Sequence, residues 1–147
     1  MKKLVLLTAM LYTSVCFSQG NKSDKGKGPT EETIFKLRKE ADAALVLTIQ
    51  SIVPDTCRVA ANGNVFVITG KVLKKYFDKT AKFKEQKIIY HTTDTSAYSG
   101  AAHTIVFLNY TAPVAGEKCK EILWTSKPGN AIPFSTKTEV LVGKKQD

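Results

Sequence analysis

Metal-dependent or nucleophilic chemistry would have to be built from very little in this chain. Its 147 residues include three cysteines, two histidines and one tryptophan. The soft metal ligands past the N-terminus are Cys57, His91, His103 and Cys119, and no two stand at a short ligand-pair spacing. A metal site needs about four such ligands, so none is expected. The aspartates Asp42, Asp55, Asp78 and Asp94 are scattered, and nothing marks the two acids across a cleft that glycosidase chemistry requires. There is no nucleophile elbow. Gly26-Lys27-Gly28 lies in a basic stretch without apolar residues and Gly63 stands alone, so no phosphate-cradling loop is present. After residue 17 no apolar run approaches the ~20 residues of a membrane-spanning helix. The expectation is a chain without cofactor and without catalytic residues.

What is present begins with an export signal. Lys2 and Lys3 precede an apolar run over residues 4–17 that is broken only by Thr8, Thr13 and Ser14. That order of parts is what a signal peptidase substrate needs. Cys16 and Ser18 are small and occupy the minus-three and minus-one positions of a cut after Ser18, so the mature chain would start at Gln19. Two alternatives are an N-terminal membrane anchor and lipidation of Cys16, although Thr13-Ser14-Val15 fits a lipoprotein box poorly. Removing residues 1–18 leaves 129, one domain's worth of chain and enough for a real core. The expected location is secreted or periplasmic, with no transmembrane segment in the mature chain.

The formal charge is +9, and the signal takes Lys2 and Lys3 but no acid, leaving +7. The excess lies in Lys22, Lys25 and Lys27, and in Lys71, Lys74, Lys75, Lys79, Lys82, Lys84 and Lys87. A basic surface favours anionic partners, here an anionic polysaccharide or an exported protein; the plainer reading is a solvated face. Nucleic acid is not expected, because the compartment is wrong and the lysines lack the interleaved aromatics that stack on bases. Cys57 and Cys119 are an even pair in an oxidising compartment and read as one disulfide. Closing so long a loop stabilises by about 4 kcal/mol in the chain-entropy model.

Residues 19–29 read as a flexible basic arm, and residues 30–147 as a single domain. Thr30 can cap a helix whose first turn carries Glu31 and Glu32, with Ile34, Leu37 and Ala41 on one face; the spacing predicts a helix over 31–40. The pattern then becomes β-like over 44–53, 65–76, 87–93, 104–111, 121–125 and 139–142, with Pro54-Asp55 ending the first run and Gly70 marking a bulge or bend. The fold class is all-β: a small barrel or sandwich of five to six strands with one short N-terminal helix.

The sequence from Ala41-Asp42 through Leu45-Val46-Leu47, then Phe66-Val67-Ile68-Thr69-Gly70-Lys71, Lys87-Ile88-Ile89-Tyr90 and His103-Thr104-Ile105-Val106-Phe107-Leu108 resembles the netrin-like module. That module is the oligosaccharide-binding-type barrel shared with the tissue inhibitors of metalloproteinases. The resemblance covers about residues 41–110 and implies the barrel fold and a general binding role. The inhibitors use a cysteine at the mature N-terminus to chelate the protease zinc, whereas Gln19 is expected here and no cysteine follows before Cys57. The usual Cys-Gly before the fourth strand is represented at best by Ser99-Gly100. Inhibition by that mechanism is not implied.

The candidate binding residues are Lys71, Lys74, Lys75 and Lys87 on a basic strand edge, with Tyr98 in the long loop over 92–102. Long loops on small barrels often carry binding. The expected role is a non-enzymatic binding module that contacts an envelope or extracellular macromolecule. The alternatives are a small secreted hydrolase using Ser99 and His103, for which a triad of Ser99, His91 or His103 as base, and Asp94 as acid can be assembled on paper, and a structural envelope protein, lipid-anchored if Cys16 is modified. Trp124 reads as core; exposed, it would suggest carbohydrate or peptide binding. Asn21 and Asn109 stand in glycosylation sequons.

Overall fold

The computed structural model describes residues 28–60, 63–112, 115–116 and 118–144. The signal peptide, Cys16 and nearly all of the basic arm lie outside the described residues.

The N-terminal helix α1 is Glu31–Glu40, as its signals require. The Thr30 hydroxyl accepts from the Thr33 amide at 3.2 Å, and Ile34 and Leu37 face inward. Its C-terminal carbonyls are met by a lysine from another element. Lys79 Nζ donates to the carbonyls of Arg38, Lys39 and Ala41 at 2.8, 3.0 and 2.6 Å, placing a cation on the negative end of the helix dipole.

Six strands follow: β1 (Ala43–Ala60), β2 (Gly63–Asp78), β3 (Lys87–Thr92), β4 (Thr104–Tyr110), β5 (Trp124–Ser126) and β6 (Ala131–Pro133). Five close into a barrel in the order β1-β2-β3-β5-β4, with β4 returning to β1 from Ala43 opposite Leu108 to Leu47 opposite Thr104. The sixth, β6, adds antiparallel to β4. All contacts between neighbours are antiparallel except β3 with β5.

Two cores explain the dense apolar runs. Ala43, Leu45 and Leu47 of β1 and Val106 and Leu108 of β4 point into the barrel against Ile68, Tyr90 and Trp124. The alternate residues Ala44, Val46, Ile105 and Phe107 point outward and are covered by Ile34 and Leu37 of α1 and Val142 of a second helix. Strands buried on both faces lose their polar alternation. Gly70 faces the bulge: Ile49 opposes it and Ser51 opposes Thr69, so the extra residue lies on β1, and a Cβ at Gly70 would lie 3.2 Å from Leu47 Cδ1.

Three expectations need correction. The run at 139–142 is not a strand but part of a C-terminal helix α2 (Thr136–Gly143), so there are two helices rather than one. Ser135 and Thr138 form a reciprocal capping box there, and a helix start of this kind outweighs four apolar residues too short to define a period. The fifth strand is Trp124–Ser126 rather than 121–125; the Leu123 carbonyl still accepts from the Thr111 amide at 2.8 Å, but residues 121–123 are not part of the strand. The first strand does not stop at Pro54-Asp55. It continues to Ala60 through a wide bulge in which Pro54 opposes Phe66 but Val59 opposes Asn64.

Candidate binding groove

That bulge is the first element of the site. Asp55, Thr56, Cys57 and Arg58 occupy it, and Cys57 is bonded to Cys119, 62 positions further along the chain, with their Cα atoms 5.7 Å apart. Cys119 belongs to the segment leading from β4 to β5, here called the strap (residues 118–123). The disulfide therefore ties the far end of β1 to the strap, and the paired sulfurs are not available as metal ligands.

A half-buried ionic cluster reinforces the tie. The Asp55 side chain is 8% exposed; its Oδ1 accepts from the amides of Cys57 at 2.8 Å and Arg58 at 3.2 Å. Its Oδ2 lies 3.2 Å from Arg58 Nη1 and 3.1 Å from His91 Nε2. Arg58 Nη2 donates to the Lys120 carbonyl at 2.8 Å, so one guanidinium bridges bulge and strap. Burial pushes the Asp55 carboxyl up, but the two amides, the guanidinium and His91 outweigh it and hold its pKa below the ordinary 3.8. A carboxylate engaged on both oxygens is a structural anion.

The strap runs beside β3 without completing the barrel wall. β3 meets β5 only where His91 opposes Thr125 and Thr92 opposes Ser126. Ahead of that point a groove of about 340 Å³ opens between β3 and the strap. Its floor is Phe83, Ile88, Leu123 and Trp124, and its rim carries Lys82, Lys84, Lys87 and Lys120 together with Glu85 and Glu121. A second cavity, of about 440 Å³, shares Leu123 with this groove and is lined also by Arg58 and His91. Trp124 is core, 7% exposed, and meets Phe83 and Tyr110 edge-to-face at centroid distances of 6.4 and 5.5 Å.

The expected binding residues divide. Lys71 and Lys87 are direct cross-strand neighbours, like charges held side by side at a cost that an anion would relieve. Lys75 lies over the Phe83 ring at 6.0 Å. Lys74 turns away to α2, where its Nζ is 2.7 Å from Glu139 Oε1 and 5.0 Å from the Tyr76 ring centre. Tyr98 is a correction. It is 8% exposed and its hydroxyl accepts from that of Tyr90 at 2.9 Å. It sits in a 3-10 turn, Ser96–Tyr98, that plugs the barrel, so the ring offers no contact surface.

Ser99 and His103 do share one shallow hollow of about 400 Å³ with Phe134. Asp94 is not with them: its Oδ1 accepts from Ser96 and its Oδ2 from the Gly129 amide. His103 Nδ1 is hydrogen-bonded to Thr48 Oγ1 at 3.2 Å rather than to an acid, and His91 belongs to the Asp55 cluster. Asn109 Nδ2 donates to the Glu40 carbonyl from within β4, so the second sequon is a strand-to-helix tie. Sequence reasoning missed Lys120 and the Asp55–Arg58–His91 cluster. Lys118 and Lys120 flanking Cys119 were the available signal for the first.

Fold and disulfide together define a small closed β-barrel whose strap between β4 and β5 is tied to the end of β1 by a covalent bond. No family model matches the chain, and no curated protein matches it. The disulfide fits an extracellular or periplasmic location, and among the described residues no helix is long and apolar enough to cross a membrane.

Proposed function

We propose that this is an exported, non-enzymatic binding module that takes an anionic macromolecule on its basic face. The observation that carries the reading is the rim of Lys82, Lys84, Lys87 and Lys120 around an apolar floor. Among the described residues none of these four ammonium groups forms an ion pair, while Lys74 is neutralised by Glu139. Four unpaired cations against the two carboxylates Glu85 and Glu121 leave an excess of positive charge beside the recess, which favours an anionic partner. The strand order supports an oligosaccharide-binding-type barrel and is compatible with the netrin-like resemblance, from which only the general binding role carries over. Export through a cleaved signal belongs to the same proposal, and a native mass beginning at Gln19 rather than at a lipidated Cys16 tests it.

The test of binding is retention on immobilised heparin and on polyglutamate at rising salt. Retention that collapses between low and about 0.5 M salt is expected, since screening shortens with ionic strength, and Lys84→Glu with Lys87→Glu should weaken it further. Retention indifferent to salt and to both substitutions would discard the reading. A secreted hydrolase remains the second reading, favoured by the meeting of Ser99 and His103 in one hollow. A hydrolytic turnover found for the protein and lost in both Ser99→Ala and His103→Ala would establish it.

A further inference from the structure

The barrel wall has a seam. On the side away from β2, residues 87–90 have no strand beside them among the described residues, because β5 joins β3 only at His91 and Thr92. Among the described residues no backbone hydrogen bond links residues 87–90 to the strap. A strand edge of this kind is a template for another chain.

We propose that the seam binds an extended acidic segment of a partner protein, seated along the open edge of β3 with apolar side chains lowered onto the groove floor. This rests on the binding-module reading and narrows its ligand to a peptide. Three features of the groove select that occupant. An extended peptide sends alternate side chains to opposite faces, and the groove offers two different faces to receive them. The floor of Ile88, Leu123, Trp124 and Phe83 suits the apolar set; the rim, four lysines against Glu85 and Glu121, suits the acidic set. The partner's own main chain would pair with residues 87–90, supplying binding energy that does not depend on its side chains.

The aromatic geometry argues against a sugar chain as the occupant. Carbohydrate stacking needs an open ring face, and Trp124 is packed edge-to-face against Phe83 and Tyr110. The ring contributes floor but no platform.

Trp124 is the chain's single tryptophan, so its fluorescence reports occupancy of the groove directly. The probes are a short synthetic peptide alternating glutamate with leucine, the same peptide with alanine for leucine, the leucine peptide N-methylated at alternate amides, and heparin. The leucine peptide should shift Trp124 emission and bind the full exported chain about tenfold or more tighter than either modified peptide, since each loses apolar burial or main-chain pairing. Lys84→Glu with Lys87→Glu should reduce that affinity by about tenfold with unchanged circular dichroism and thermal unfolding. Equal affinity for all three peptides, or an affinity indifferent to the lysine substitutions in a folded variant, would overturn the proposal. Heparin binding without discrimination among the peptides would overturn the seam as a peptide site and leave the basic-surface reading standing. Failure of every anionic probe to bind would remove both.

Discussion

The two halves of β1 are held by different physics. Residues 43–47 are almost wholly buried, with one set of side chains in the barrel and the other under the helices. Past the register slip after Ile49 the same strand leaves the core: Ile52 is 38% exposed and Val53 49%. Among the described residues no buried core cluster includes this end, and in its place stand the Cys57–Cys119 bond and the Asp55–Arg58–His91 cluster. One end of a strand is fixed by burial, and the other by a covalent bond and charge. The groove lies beside the second kind of anchor, so its shape should respond to redox state and pH where the barrel core does not.

The largest effect expected from that contrast follows removal of the disulfide. Replacing both Cys57 and Cys119 by serine should lower stability by about 4 kcal/mol for a loop of this length, measured by urea unfolding. Hydrogen exchange should rise first in the bulge and the strap, with residues 43–47 the last to lose protection. Uniform loss of protection along β1 would show that the two halves are one cooperative unit and dissolve the comparison. In the opposite half, Leu47→Ala should cost about 3 kcal/mol, because the site is walled on every side and relaxes poorly. Its loss of protection should be global, with peptide or heparin affinity of the remaining folded protein unchanged.

Charge makes the next difference. Asp55→Asn should cost about 2 kcal/mol near neutral pH, by weakening hydrogen bonds that a carboxylate makes more strongly than an amide. The folded pKa of Asp55 lies below its ordinary value of 3.8, so the fold prefers the ionised form. Its contribution is complete above that value and is lost as pH falls through the folded pKa. Wild type should therefore lose stability on acidification below about pH 4 more steeply than Asp55→Asn. Asp78, held down by hydrogen bonds from Phe83 and Thr80 against its burial, and Asp94, held down chiefly by Ser96, keep a residual slope in the variant. Parallel acid profiles for the two proteins would remove the ionic anchor from the account.

The buried half is also the half that was readable in the sequence. Continuous apolar runs at 44–47 and 105–108 announce strands, and Thr30-Glu31-Glu32 announces α1, because each signal is local. The site was less readable, since its parts are made by register and closure. Lys71 and Lys87 are 16 residues apart and become neighbours only through the β2–β3 ladder. Lys120 reaches the groove because a disulfide 62 residues long delivers the strap there. Tyr98 misled for the opposite reason. It stands in a polar stretch, and no local pattern announces that a 3-10 turn will drive one ring of that stretch into the barrel.

The smallest expected effect tests whether the buried half has an electrostatic tie of its own. Lys79 is an exposed lysine in the turn after β2, yet its ammonium satisfies three carbonyls at the end of α1. Its backbone amide also donates to the Asp42 carbonyl at 2.7 Å, so the turn is anchored whether or not the side chain is charged. Lys79→Met keeps the aliphatic stem and removes only the cation. The expected loss is about 0.5–1 kcal/mol, seen as faster exchange in α1 with the strap and bulge unaffected. High salt should weaken that loss only slightly, because the bonds to the carbonyls are short and the ammonium is held between the helix end and the turn. A variant with wild-type exchange in α1 would mean that the burial of Ile34 and Leu37, with the Asn109 tie to the Glu40 carbonyl, holds the helix without the cation, and that this half of the molecule needs no charge.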